Sequence, residues 1–189
     1  MKNRSFSLGT PASEPVTLSE AKNHLKVDTS ADDSLITALI TAARQWTEFY
    51  LGRVLVTTTV TEKADCLPEG DTPAELRFCP VASVTSVKYI NADGTETTWS
   101  SSEYLTDFVS APCRLAPKPG FFYPSPDTRI NAVEIVYVAG YANAATVPAA
   151  IRQGILLMVG EMYENRENTV KKMPTAVEYL LQPYRVWKF

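Results

Sequence analysis

Histidine and cysteine are scarce in this chain. One histidine, His24, and three cysteines, Cys66, Cys79 and Cys113, stand among 189 residues. An odd number of widely spaced cysteines is no disulfide framework. Without a Cys-x-x-Cys pair or a second histidine, zinc has no ligand set. A Ser–His–Asp or Cys–His catalytic arrangement would have to use His24, which sits beside Leu25 with no motif around it. Glycine is also sparse, with 8 residues. "GYANAATVP" holds one glycine and no lysine, so it is no phosphate loop. No apolar run approaches the ~20 residues that span a bilayer. The opening "MKNRSFSLGTPASEP" lacks the apolar core of a secretory signal. A reduced, cytoplasmic place of synthesis is expected. Charge of one sign is missing too. The formal net charge is -3, with an acidic middle and a mildly basic tail, too weak an imbalance to argue for nucleic acid or an anionic membrane.

What is present is ordinary for a globular protein: 45% hydrophobic and 21% charged residues. The chain changes character twice. "VTLSEAKNHLKV" opens on Thr17 with Glu20 three positions on, a capping box, and Leu18, Ala21 and Leu25 then share one face of a short helix. In "TSADDSLITALITAARQWTEFYLGR", Leu35, Leu39, Ala43, Trp46 and Tyr50 form a stripe at steps of three and four. Asp32 and Asp33 suit the start of that helix and Gly52 its C-terminal cap.

From Arg53 the period switches to two. "RVLVTTTVTE", "ELRF", "SVTSVKYI", "TETTWS" and "AVEIVYVAG" read as strands, and "NADG" reads as a hairpin loop with Gly94 at the positive-φ position. The many prolines here mark turns and edges. "APKPGFFYPSPDTR" is the longest irregular piece. At Pro148 the period returns to helical. "ILLMVGEMYENRE" carries Ile155, Met158, Val159 and Met162 on one face and ends in charge; "MPTAVEYLLQP" is a further short helix that Pro183 ends.

The fold expected is α+β: a small helical bundle from N- and C-terminal helices with an inserted antiparallel β-rich block. The parts are 1–52, 53–147 and 148–189. Ile155, Met158, Val159 and Met162 should then meet Leu35, Leu39, Ala43 and Trp46. Asp32–Asp33 and the pair Glu161–Glu164 are weak metal candidates that helix solvation explains better, because the Glu-x-x-His pattern of carboxylate sites is missing. Cys79 before Pro80 has no base in view and should pack in the β block. No catalytic residue, metal or cofactor is assigned. The aromatics of "YRVWKF" suit either a core cover or a partner contact.

The ends of the chain carry a resemblance. Leu18, Glu20, Ala21, Lys22, His24, Leu25, Lys26, Val27 and Asp28, then Asp32 and Asp33, then Leu51, Gly52 and Arg53, are spaced as in the N-terminal signature of bacteriophage head–tail connector proteins, the adaptor or head-completion family. Gly140, Tyr141, Val147, Pro148, Ile151, Tyr163, Asn165, Arg166 and Glu167 resemble the family's C-terminal part. The β block is similar to a longer subgroup, and its middle has no match. The resemblance implies a non-enzymatic ring component at the virion head–tail junction, made in the host cytoplasm. It implies a place beneath the portal protein and above a tail-side stopper, usually with twelve-fold symmetry, with DNA passing through the centre unread and no membrane contact. Under that reading Glu164, Arg166 and Glu167 are candidates for the ring contact. Tyr184, Arg185, Trp187, Lys188 and Phe189 are candidates for portal docking. Other classes remain open: a small nucleic-acid-binding or regulatory domain, for which Lys171 and Lys172 are the nearest basic pair, or an enzyme with a pocket around His24 or Glu161–Glu164.

Overall fold

The computed structural model describes residues 1, 3–70, 72–165 and 174–186. The chain forms two compact units. One holds Met1–Thr10 and Thr57–Gly140; the other holds Pro11–Val56 and the described chain from Tyr141 onward.

The second unit is helical: α1 (Leu18–Leu25), α2 (Asp33–Leu51), α3 (Ala149–Glu164) and α4 (Thr175–Leu181). The capping box at Thr17 forms as expected: the Thr17 hydroxyl accepts from Glu20 N–H, and the Glu20 carboxylate accepts from Thr17 N–H. Two orphan donors are thereby satisfied at the start of α1. Gly52 ends α2 at φ 64°, a left-handed cap. Helices from both ends share one core, with Ile36, Ile40 and Leu51 of α2 among Ile151, Ile155 and Val159 of α3 and Val177 and Leu181 of α4. Gly154 lets α4 approach α3 closely: a Cβ there would lie 3.2 Å from Leu181 Cδ2.

The buried line of α2 differs from the expected stripe. Ile36, Ile40, Ala43, Thr47 and Leu51 face the core, while Leu35, Leu39, Trp46 and Tyr50 are only half-buried beside it. Arg44 and Glu48 are buried with them. They can be, because they satisfy one another: Arg44 Nη1 donates to Glu48 Oε2 at 2.6 Å, Arg44 Nε donates to Glu14 at 2.7 Å, and Leu55 N–H donates to Glu48 Oε1 at 2.8 Å. The last bond also explains the late start of the first expected strand. Val54, Leu55 and Val56 are buried in or near this bundle core, and the strand begins only at Thr58.

The first unit is β-rich. A five-stranded antiparallel sheet has the order β1 (Ser5–Leu8), β2 (Thr58–Ala64), β8 (Val133–Ala139), β4 (Val81–Ile90), β5 (Glu96–Thr98). A three-stranded sheet has the order β3 (Ala74–Glu75), β7 (Arg114–Pro117), β6 (Tyr104–Asp107). Alternation in β2 and β8 buries Val60, Glu62 and Ala64 with Val133, Ile135 and Tyr137. The NADG turn closes β4 to β5 with Gly94 at φ 87°. β1, β6 and β7 are not among the strands expected from the sequence. β1 is an edge strand, pairing Ser5–Leu8 with Lys63–Val60. The Pro-rich loop after β7 is held in place: Tyr123 Oη accepts from Ala74 N–H and lies 3.0 Å from the carbonyls of Thr72 and Leu115.

Candidate interaction surfaces

The residues that could have carried chemistry are tied up locally. His24 is exposed, and its Nε2 lies over Gly160 of α3, 3.5 Å from where a Cβ would stand. Asp32 accepts a hydrogen bond from Tyr163 Oη at 2.6 Å, and Asp33 pairs with Lys22 at 2.7 Å. Both aspartates thus fasten the start of α2, Asp32 to α3 and Asp33 to α1. Glu161 accepts from the Asn165 side chain at 2.9 Å. Cys79 and Cys113 are buried and Cys66 is half-buried; no disulfide joins them. Among the described residues no group of three or more His, Cys, Asp or Glu is placed to hold a metal. No described helix is long and apolar enough to cross a membrane.

The charged groups with shifted protonation serve the fold. Burial pushes the Glu48 carboxyl above its ordinary range, although the Leu55 N–H and the Arg44 guanidinium pull the other way. The Thr17 N–H holds Glu20 below the usual range, with help from Arg152. Hydrogen bonds from Ser110 and Arg114 hold Asp107 low in the β6–β7 turn. In the β unit, buried Glu62 accepts from Tyr137 Oη at 2.5 Å and from Arg77 N–H at 2.7 Å, and it pairs with Arg4. Burial and the Glu62 charge push the Tyr137 phenol far above its normal range.

The candidates for partner contact fall in two places on the helical unit. At the end of α3, Glu164 is exposed; Arg166 and Glu167 lie outside the described residues, as do Lys171 and Lys172. At the C-terminus Pro183 does not stop the helical path as expected. Pro183 sits inside a 3-10 turn, Gln182–Tyr184, that continues α4. The chain then returns to the end of α2. Arg53 Nε donates to the Tyr184 carbonyl at 2.6 Å, the Arg185 guanidinium lies 5.0 Å from the Tyr50 ring centroid, and Val186 N–H donates to the Leu51 carbonyl at 2.9 Å. Tyr184 and Arg185 are thereby docked on their own bundle. Trp187, Lys188 and Phe189 lie outside the described residues.

Sequence reasoning missed the exposed apolar side chains of the helical unit. Phe49 on α2 is 86% exposed and Tyr179 on α4 is 71% exposed. In the β unit Leu105, Ala116, Pro117, Pro119, Phe121 and Phe122 line an open groove of about 420 Å³. The doublet "FF" was visible in the sequence. What was not visible is that Tyr123 turns inward, into contact with Trp99, and leaves Phe122 outside.

Comparison with known proteins fits this arrangement. The family model described as "Phage gp6-like head-tail connector protein" matches residues 15–111, from the cap of α1 to the β6–β7 turn. No curated protein matches the sequence. Among solved structures, a chain in the neck of an empty gene transfer agent (GTA) particle, computed with C6 symmetry, has a TM-score of 0.80 at 23% identity over 97% of both chains. A chain of the native GTA virion scores 0.77 at 22% identity over 96% of both, and one in the native GTA neck, computed with C12 symmetry, scores 0.73 at 24% over 97% of both. At these identities the likeness shows the fold, and it extends over nearly the whole chain, including the helical C-terminal part that the family model leaves out. The family match itself spans just over half of the chain, and on it the chain belongs to the phage gp6-like head–tail connector family and is a structural head–tail connector.

Proposed function

We propose that the protein works as a closed ring at the head–tail junction, between the portal of a filled capsid and a tail-side stopper, with DNA passing through unread. The observation that carries this reading is that its fold is shared end to end by chains in GTA necks computed with C6 and C12 symmetry. Cyclic symmetry demands head-to-tail contacts, with a different patch on each side of one subunit. Twelve copies match the higher of the two symmetries. Glu164 with Arg166 and Glu167 supplies orientation and register in that contact, as charged groups at interfaces do, more than affinity. The C-terminus, with Trp187, Lys188 and Phe189 following docked Tyr184 and Arg185, grips the portal through its aromatics.

The test is electron microscopy of the purified protein, with and without its portal, for full-length chain and for chain ending at Val186. Rings on the portal that vanish with the truncation, at an unchanged melting midpoint, support the reading. Monomers on and off the portal refute the ring; undiminished portal binding by the truncated chain refutes the tail as the grip.

A further inference from the structure

The outer face of α2 carries no charge. Between Asp33 and Arg53 the charged residues are Arg44 and Glu48, and both are buried. Solvated helix faces are normally polar and charged. The exposed line of α2 is instead Ala38, Ala42, Gln45 and Phe49, at steps of four, three and four. Leu35, Leu39, Trp46 and Tyr50 flank it, half-buried. Depletion of charge together with aromatic enrichment marks the core of a protein–protein interface. α2 itself has no exposed lysine or arginine, the residues that hold DNA phosphates; Arg185, over Tyr50, is a cation at its margin.

The centre of the patch is also preorganised. Trp46 and Tyr50 stack on each other, with ring centroids 5.4 Å apart and planes 10° from parallel, and Arg185 lies over Tyr50. These rings are held in place beside Phe49 before anything binds, which lowers the entropy lost on contact.

The helical unit exposes one other large apolar side chain among its described residues, Tyr179 of α4. Exposed Ala176 and Pro183 stand three positions before it and four after it, and exposed Glu178 flanks that line. Two patches, each centred on an exposed aromatic and built on different helices, have the form that a head-to-tail contact requires: two unlike surfaces of one subunit.

We infer that the outer face of α2, centred on Phe49, is a self-assembly surface whose occupant is a second copy of this chain, with Phe49 of one copy against Tyr179 of the next. The inference rests on the ring reading and assigns its apolar contact. Aromatic anchors supply most of the affinity in such a contact. The patch is separate from the charged end of α3. Tyr163, beside Glu164, is bonded to Asp32 at the start of α2, and about 25 Å of helix axis separate Asp32 from Phe49.

The experiment measures assembly of full-length protein, by mass photometry and by negative-stain imaging on the portal. The proteins are wild type, Ala42→Glu, Phe49→Glu, Tyr179→Lys and the double variant Phe49→Glu/Tyr179→Lys. All the substituted side chains are exposed, so thermal midpoints should stay at the wild-type value. Each single substitution puts an unpaired charge into the contact and should raise the concentration needed for rings at least about tenfold. The double variant sets opposite charges against each other and should recover at least about threefold of that loss. Variants that all form rings as well as wild type overturn the surface and leave the ring reading standing. Single substitutions that weaken rings without recovery in the double overturn the Phe49–Tyr179 pairing. Variants that form normal rings but no longer sit on the portal make the portal the occupant and overturn self-assembly through this face. Failure of wild type to form rings, with the portal or without it, overturns both readings.

Discussion

Arg44→Met removes the one cation that a buried carboxylate depends on. Arg44 and Glu48 side chains are 7% and 10% exposed, and Glu14 adds a second negative charge on the guanidinium. In the variant, Glu48 keeps its bond from Leu55 N–H and loses its counter-charge. Breaking a buried pair by removing one partner costs about 3–5 kcal/mol. For a chain of this size each kcal/mol moves the melting midpoint by about 2–4 °C, so a fall of roughly 6–20 °C is expected near pH 8. The cost has a ceiling, because Glu48 can take up a proton. Its carboxyl is already raised by burial, and losing Arg44 raises it further. A carboxyl raised in the folded state favours folding fully only below its unfolded value of about 4.5, and that contribution is lost as pH rises through the folded value. Acidification must therefore rescue Arg44→Met more than it helps wild type. Urea unfolding followed by circular dichroism, at pH 8 and pH 5, reads both effects. Glu48→Gln in the Arg44→Met background should recover part of the loss at pH 8 and remove the difference between the two pH values. A deficit under about 1 kcal/mol at pH 8, or an equal deficit at both pH values, would refute the reasoning.

Three further outcomes follow from the same kind of bond. Tyr137→Phe strips Glu62 of a hydroxyl donor and leaves Phe78 N–H, 3.2 Å from that oxygen, without its acceptor; a loss of about 2–4 kcal/mol is expected in urea melts. Thr17→Ala opens the capping box of α1 and should cost about 1 kcal/mol. It should also flatten the acid limb of the stability curve slightly: the Thr17 N–H, the main donor holding Glu20 low, survives, but the hydroxyl's share of that contribution, present above the ordinary range and lost as pH falls through the lowered value, is removed. Tyr123→Phe removes the acceptor of Ala74 N–H and should speed hydrogen exchange at that amide while leaving Tyr137-dependent stability unchanged.

Local signals were sufficient where a few neighbouring residues decide the outcome. Thr17 and Glu20 set the start of α1 by bonds that close within four residues. Gly52 and Gly94 occupy positive φ because other residues are strained there. The α+β order, with helices at both ends of a β-rich middle, came from the period of the apolar residues, and the resemblance at the N-terminal end agreed with the family model over residues 15–111. Other features depend on partners distant in the chain. Nothing in "RSFSLG" marks a strand; Ser5–Leu8 becomes one because the edge of β2 accepts it.

The apolar period of α2 by itself determined that a long amphipathic helix would form, and it could not say which side would be buried. Apolar residues lie on two adjacent lines of that helix. The choice between them was made by residues outside the helix: Glu14 and the Leu55 N–H satisfy Arg44 and Glu48 and allow charge into the interior, so Trp46 stays at the margin and Phe49 stays outside. The C-terminus was settled in the same way. Pro183 suggested where the last helix would end and not where the chain would go next; the Tyr184 carbonyl and the Val186 N–H find partners at the end of α2. Sequence sets backbone preferences and which groups need partners; only the tertiary fold decides which partners, tens of residues distant, come within reach.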